Sequence, residues 1–387
     1  MKIELASRIR ELPPYPFARI DALKAEARAR GVDLVDLGIG DPDLPTPAHI
    51  VAAAAKAAAD PRHHQYPSYV GMLAYRESAA RFCQRRFGIK LDPAREVVAL
   101  IGSKEGIAHF PVAFVEPGDV VLCPDPGYPV YATGTRFSGG EPYFMPLRRD
   151  SGFLPDLKAI PADVARRAKV MWVNYPNNPT AALAPKGFYE DVVEFALKHD
   201  IIVASDMAYS EIYYGGAEPP KSILEIPGAR ECAIEFHSLS KTFNMTGWRV
   251  GFAIGNEALV GGLGKVKTNV DSGVFEAVQV AAMAGLDGDL GVVAELRREY
   301  EGRVNILCDG LSAAGFDVIK PRASFYCLIA NPKGVSSLDY SLKLLEAGVV
   351  ATPATGFGAG GEGFVRLTVC APRDRLALAV ERLKTLR

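Results

Sequence analysis

The sequence predicts an α/β fold: a mostly parallel sheet sandwiched by helices, with a smaller α+β domain. Three observations carry this. Short, continuously apolar runs such as VVLCPD, KVMWVNYP and IIVASD alternate with amphipathic stretches. Strands apolar on both faces belong in a parallel sheet with helices covering both sides. Beyond about residue 288 the texture changes to a long charged helix and shorter strands, and 387 residues are enough for two domains with separate cores.

In chain order, residues 1–45 read as an N-terminal arm that also supplies part of the small domain. VDLVDLGIGD (32–41) predicts a strand ending in a Gly/Asp/Pro turn. Thr46 and Pro47 read as N-cap and first helical residue of an Ala-rich helix reaching Pro61, because a hydroxyl satisfies free N–H groups and proline has none to lose. A helix follows Gly71, and EVVALIG (96–102) is a strand after which Ser103 caps the next helix. Further strands are predicted in VVLCPD, PYFMPL, KVMWVNYP, IIVASD, AIEFHSL and WRVGFAIG, with helices at 186–199 and 256–268. Residues 46–288 thus make the large domain. Residues 289–387 make the small one, from a charged helix over roughly 290–314, strands in FDVIK, SFYCLIA and FVRLTVC, and helices at 338–347 and 373–386.

Composition narrows the function. The chain carries 44 basic and 45 acidic residues with no long run of one sign, which argues against a dedicated nucleic-acid or membrane surface. No apolar run reaches the roughly 20 residues a membrane-spanning helix needs. Six cysteines are scattered without a C-x-x-C, mostly in apolar runs, and read as buried free thiols in a reducing cytosol. MKIELASRIRELPPYPF has no signal-peptide core, and Glu4, Glu11 and the early prolines argue against a transit peptide. The cytoplasm is the expected compartment.

Ligands of open parallel sheets bind at the carboxyl ends of strands. Polar residues collect at four such ends: Gly102-Ser103, Asn178 in NYPNNPT, Asp206 in IIVASD, and Ser238 to Lys241 in FHSLSKTFNMTGWRVGF. Each alone reads as a cap or a turn former; four in one sheet point to a site. Lys241 follows an apolar strand, a costly place for a charge unless the amine is neutral part of the time and reactive. A phosphorylated pyridine aldehyde would use the whole set. Its phosphate suits the helix start at Ser103 together with Ser238 and Arg249. Its aldehyde suits Lys241, and its ring nitrogen suits Asp206, which would keep it protonated. Asn178 and Tyr209 are donors for the ring oxygen, and Tyr128 in DPGYPVY is an aromatic for the ring face.

The motifs YPSYVG, GSKEG, PDPGYPVY, NYPNNPT, SDMAY, SLSKTFNMTGWRVGF and FVRLTV, in this order, resemble those of the fold-type I pyridoxal-phosphate aminotransferases over essentially the full length. NNPT or S-x-x-K alone is weak. S-x-x-K-T with Arg249 eight residues on, and Asp206 to Tyr209 upstream, is specific. The resemblance implies pyridoxal 5'-phosphate as cofactor, bonded to Lys241, which shuttles the proton once substrate displaces it. It implies Asp206 on the ring nitrogen, Asn178 and Tyr209 on the ring oxygen and Tyr128 stacked on the ring. Ser103, Lys104, Ser238 and Arg249 would bind the phosphate, and Tyr66 would reach it from a partner subunit, so a homodimer with shared sites is expected. Arg366 would clamp the α-carboxylate of an amino-acid or 2-oxo-acid substrate, with Gly40 beside it.

Within the family, LGIGDPDLPTP, HQYPSYVGM, ALIGSKEGIAHFP and KVKTNVDSG are similar to the LL-diaminopimelate aminotransferases. That implies an amino group moving between glutamate and tetrahydrodipicolinate, in lysine and cell-wall precursor biosynthesis. Lys104, Asn178, Tyr15 and, across the dimer, Asn269 become candidates for touching substrate. Aspartate or alanine aminotransferases and carbon–sulfur β-lyases share the cofactor and stay open as alternatives.

One departure is plain: the family usually has glycine after NPT, and here the residue is Ala181. Two motifs are decoys. Ser238 to Lys241 also fits a serine-nucleophile S-x-x-K, but no S-D-N or K-T-G accompanies it. GFGAGG (356–361) fits G-x-G-x-x-G, yet EGFVRLTVC after it reads as strand, where a dinucleotide site needs a helix. It reads as a flexible loop beside the small domain. His63-His64 has no second cluster at ligand spacing and reads as a solvated pair, so no metal is expected. His109 reads as a packed helix residue, and nothing in the spacing of His237 requires a role.

Overall fold

The computed structural model describes residues 1–10, 12 and 18–386, with the side chains of 18–20 excepted. A short strand, β1 (Val35–Asp36), precedes seven that build the main sheet. These are β2 (Val97–Leu100), β3 (Val120–Asp125), β4 (Glu141–Pro146), β5 (Ala168–Val173), β6 (Ile202–Asp206), β7 (Ala233–Ser238) and β8 (Gly251–Gly255). Their order is β2-β8-β7-β6-β5-β3-β4. Every pairing is parallel except the two made by β8, which runs antiparallel to β2 and β7.

Alternate residues of each central strand feed two cores. Val97, Ala99, Met171 and Phe252 pack with helices Leu73–Phe87, Phe188–His199 and Glu276–Leu286. Val98, Val170, Trp172 and Ala253 pack with Ser103–Phe114, Val130–Phe137 and Glu257–Val270 on the other face. β2, β7 and β8 are buried along their whole length; β2 and β8 read as unbroken apolar runs, whereas β7 also buries Glu235 and His237, which lie against each other. PYFMPL lies in β4, the edge strand, where Pro142 and Pro146 interrupt no inner ladder.

The smaller sheet has the order β12 (Thr352–Pro353), β13 (Phe364–Thr368), β10 (Tyr326–Ala330) and β9 (Val318–Ile319), all antiparallel. β11 (Val349–Val350) pairs in parallel with β1. The stretch 32–41 therefore yields two strand residues only. After them the backbone leaves to bond elsewhere, with the carbonyl of Leu37 accepting from the Thr368 N–H at 2.9 Å. Helix Gly291–Val304 runs through one π turn, Asn305–Asp309, into Gly310–Ala313. Its Val293 packs in the large core, whereas Tyr300 and Val304 pack in the small one.

Several local expectations change. Thr46 is no N-cap: its hydroxyl donates to the carbonyl of Asn244 at 2.8 Å, and the helix runs Ala48–Ala58 with Pro47 before it. Ser103 is the first helical residue, and Gly102 occupies the cap position at φ 73°. Helices Ala18–Ala29, Val130–Phe137 and Glu276–Leu286 were not foreseen. The last is apolar on most sides and carries no clear helical period. GFGAGG is held rather than flexible, as described below. Ala181 takes φ 59°, the left-handed region that a glycine would occupy freely.

That conformation costs alanine about 1–2 kcal/mol. Glycine would give up roughly 0.8 kcal/mol of methyl burial and about 0.5–1 kcal/mol of chain entropy. Ala181→Gly should therefore shift the unfolding free energy by less than about 1 kcal/mol, read by urea denaturation. The fully buried Lys267 Nζ lies 2.9 Å from Glu105 and 3.0 Å from Asp271. Lys267→Met should cost about 3 kcal/mol in the same assay, because two carboxylates lose their cation.

Candidate active site

A cavity of about 320 Å³ opens where the two sheets meet. Its floor is the set of four strand ends anticipated above, Ser103 after β2, Asn178 after β5, Asp206 at the end of β6, and Ser238 at the end of β7 with Lys241 just beyond, joined by Tyr128 after β3. Because β8 runs the other way, its beginning lies at this same edge and brings Arg249. The small sheet adds Tyr326 and Arg366, and the segment after β1 adds Gly40. A surface groove beside Asp156 and Lys198 is larger, about 700 Å³, but no buried titratable group opens into it.

One end of the cavity is built for an anion. Helix Ser103–Phe114 points its free N–H groups there, and a Cβ on Gly102 would overlap the Arg249 guanidinium. Arg249 takes φ 53°, and local strain of this kind is characteristically kept where function holds it. Its Nη1 donates to the carbonyl of Thr246 at 2.8 Å and lies 3.5 Å from the Ser240 hydroxyl. N–H groups, serine hydroxyls and a guanidinium together suit a phosphate.

The opposite end holds Asp206, which is 5% exposed. The Tyr131 hydroxyl donates to its Oδ2 at 2.7 Å and the Ala208 N–H to its Oδ1 at 3.2 Å. Tyr131 is in turn stacked on Trp172, with centroids 4.8 Å apart. Asn174 donates to the Asp206 carbonyl at 2.8 Å and accepts from the Asn178 N–H at 2.9 Å. Burial pushes the Asp206 carboxyl up to about 6, against the pull of the Tyr131 hydrogen bond.

Lys241 donates to the Gly40 carbonyl at 2.9 Å. Burial pushes its amine below the usual lysine range, and Arg249 and Arg366 push the same way while Asp41 opposes them. Arg366 donates from Nη1 to Asn178 Oδ1 at 2.8 Å and from Nη2 to the Gly38 carbonyl at 2.7 Å. Its buried Nε has no partner. Asn178 spends its oxygen on Arg366, which leaves its NH₂ group as a donor. The Tyr209 and Tyr326 hydroxyls lie 2.7 Å apart.

Eleven anticipated residues therefore line one cavity: Gly40, Ser103, Lys104, Tyr128, Asn178, Asp206, Tyr209, Ser238, Lys241, Arg249 and Arg366. Tyr66 and Asn269 do not. Tyr66 is 87% exposed, and the Asn269 amide donates to the Lys265 carbonyl at 2.8 Å. Tyr15 lies outside the described residues. Sequence reasoning missed Tyr131, Asn174, Tyr326 and Phe357. Tyr131 stands three residues after Tyr128, one helical turn away, which was a readable hint.

The histidines are more engaged than anticipated. His63 Nδ1 lies 2.7 Å from Glu276 and His64 Nε2 2.9 Å from the Ala58 carbonyl, so the two are not simply solvated. His109 lies 2.8 Å from Glu105. The buried His237 lies 2.7 Å from Glu235 and stacks on Phe252. Glu105, His109 and Asp271 bring one ligand atom each within 4.8 Å of the others, but the Lys267 ammonium already bonds both carboxylates.

Fold and site together describe an α/β protein with one cavity organised around a half-buried lysine at a strand end. Residues 32–383 match the model of the family described as aminotransferase class I and II. The chain is 56% identical to the LL-diaminopimelate aminotransferase of Syntrophobacter fumaroxidans, over 98% of each chain. It is 53% identical to that of Aquifex aeolicus, over 99% of each. It is also similar to the structure of a single mutant of Thermus thermophilus aspartate aminotransferase, with a TM-score of 0.93 and 30% identity over 100% of each chain. The chain belongs to the class I and II aminotransferases.

Asp206 makes a pH prediction for the protein without ligand. Its folded pKa of about 6 lies above the ordinary 3.8. The stability tied to its neutral form is therefore present below about pH 4 and lost as pH rises through 6. Relative to Asp206→Asn, the wild type should lose at most roughly 3 kcal/mol between pH 4 and 7 in urea denaturation. Parallel curves would mean that Asp206 is not held in this environment.

Proposed function

We propose that the chain is a pyridoxal-phosphate-dependent LL-diaminopimelate aminotransferase, passing an amino group from glutamate to tetrahydrodipicolinate and releasing 2-oxoglutarate. The cofactor assignment rests on the donor set: a buried amine between an anion cradle and a buried carboxylate. Pyridoxal 5'-phosphate fits that set: without a Cβ at Gly102, the Arg249 guanidinium can pack directly against the start of helix Ser103–Phe114, which brings its charge to the helix N–H groups a phosphate would use. The substrate assignment rests on full-length identity to relatives of that name.

When bound, the cofactor supplies an aldehyde that takes up amino groups and a protonated ring that withdraws electrons. Ser103, Lys104, Ser238 and Arg249 would bind its phosphate. Asp206 would hold the proton on the ring nitrogen, and that positive N–H would draw its carboxyl back to the ionised form. Asn178 and Tyr209 would donate to the ring oxygen, and Tyr128 would cover the ring face. Lys241, its amine neutral part of the time, would bond the aldehyde and later carry the proton between the α-carbon and the cofactor. Arg366 would hold the α-carboxylate against Gly40, and its buried Nε is a donor ready for it. Lys104 and Tyr15 remain our candidates for the far end of the substrate.

A second copy of the chain would complete the site. Tyr66, Tyr69, Leu73, Val270 and Phe275 are exposed, and Met72 is tied to Gln279 at 2.7 Å, which gathers the segments that carry them. Such an apolar face suits a homodimer, with Tyr66 and Asn269 offered across it. We divide the chain into an arm with part of the small domain (1–45), a large cofactor domain (46–288) and a small domain (289–387). Helix Gly291–Val304 changes core near its start, in support of that last boundary. We place the protein in the cytoplasm: its six cysteines are free, and among the described residues no single helix is long and apolar enough to cross a membrane.

The test is the visible absorption of the cofactor-loaded protein during addition of single amino donors. LL-diaminopimelate and glutamate should bleach the band, with aspartate and alanine at least tenfold less effective, a gap of about 1.4 kcal/mol. Best response to aspartate or alanine would move the enzyme to another substrate within the same class. Lys241→Ala should lose both the borohydride-reducible bond to the cofactor and the transfer reaction. A reducible adduct in that variant would place the reactive amine elsewhere.

A further inference from the structure

The glycine-rich run GFGAGG, residues 356–361, takes no part in the chemistry above, yet it is bonded at both ends to the opposite sheet. The Gly360 N–H donates to Asp125 Oδ1 at 2.9 Å, and the Phe357 carbonyl accepts from the Gly127 N–H at 2.8 Å. Asp125 is the last residue of β3, three positions before Tyr128. A Cβ on Gly358 would overlap the Asp125 carboxylate, and one on Gly360 would press against its carbonyl. The glycines serve close backbone approach across the two sheets, not mobility.

What the run carries explains the closeness. The Phe357 ring lies 4.4 Å from the Arg366 guanidinium carbon, and the Tyr326 ring lies 4.2 Å from it. Aromatic faces against a guanidinium attract it and restrict its plane. Two of its N–H groups are spent on Asn178 and Gly38. The guanidinium is rigid and planar, so these bonds fix its direction within the plane and the rings restrict the plane itself.

We propose that residues 354–361 are a latch, fastened by Asp125 and Gly127, through which Phe357 orients Arg366 for the carboxylate common to all substrates of the enzyme. Phe357 and Asp125 are positioning residues for carboxylate recognition. The proposal rests on the reading of Arg366 given under Proposed function. It also links the two ends of the cavity, because the turn that fastens the latch leads directly into Tyr128 and Tyr131.

The experiment is steady-state kinetics with glutamate as varied donor, beside calorimetric binding of glutarate, a non-reacting dicarboxylate. Phe357→Ala and Asp125→Ala should each raise KM and the glutarate Kd about tenfold, as slight misplacement of a clamp does. In both, kcat and bound cofactor should stay within about threefold of wild type. Asp125→Asn keeps an oxygen for the Gly360 N–H and should stay near wild type. The double alanine variant should be no worse than the worse single one, since both act through Arg366. A purely structural loop would instead lower thermal stability and active fraction in the alanine variants, with KM and Kd unchanged, and that result overturns the latch. Arg366→Gln separates the two levels: if it leaves KM and Kd unchanged, the assignment of Arg366 itself is wrong. If it raises both while Phe357→Ala and Asp125→Ala do not, only the latch fails.

Discussion

A lysine amine held at the end of a wholly buried strand is the constraint on which the other features depend. Burial pushes the Lys241 amine below the usual lysine range, and Arg249 and Arg366 push it the same way. The same dry environment lifts the Asp206 carboxyl toward neutrality. Each group is unfavourable where it stands and becomes favourable only with a ligand that neutralises or pairs it. Sites of this kind are stable because the surrounding fold is, and here the surroundings are two large cores packed against a single sheet.

The topology explains how so many polar groups reach one place without being buried in the cores. Parallel strands deliver their carboxyl ends to one edge, and loops there escape the apolar layers. β8 is the exception that completes the set, since reversing one strand lets Arg249 arrive from its beginning. The small sheet then covers the edge. Arg366 reaches across to Asn178 and Gly38, and Lys241 reaches Gly40, so the segment after β1 is tied to both sheets. Arg303, bonded to Asp43 at 2.6 Å, holds the same segment from behind.

Much of this was legible in the chain. Unbroken apolar runs identify the central strands because burial on both faces leaves no alternation to find. The candidates at the strand ends were legible because a polar residue following such a run has nowhere dry to go. Thr46 and Ser103 both suit a helix cap, and in each case a contact distant in sequence decided otherwise. Asn244 presented an acceptor to Thr46, and the needs of Arg249 placed Gly102 in the cap. Tyr66 and Asn269 stay outside this chain's cavity: Tyr66 is exposed, and the Asn269 amide bonds the Lys265 carbonyl of its own helix.

The sequence by itself determined the fold class, the order of the strands along the chain and the chemical identity of the cluster around Lys241. Those are set by local pattern, by burial and by which side chains carry reactive atoms. Only the tertiary structure decided which groups are partners: Tyr131 on Asp206, Asn178 on Arg366, and Phe357 brought to Arg366 by a run of glycines that resembled a nucleotide motif. Such partnerships join residues as far as 328 positions apart, as Arg366 and Gly38 are, and each is fixed by a strand register or a close backbone approach. No local pattern records those distances, because they exist only once the sheets have packed.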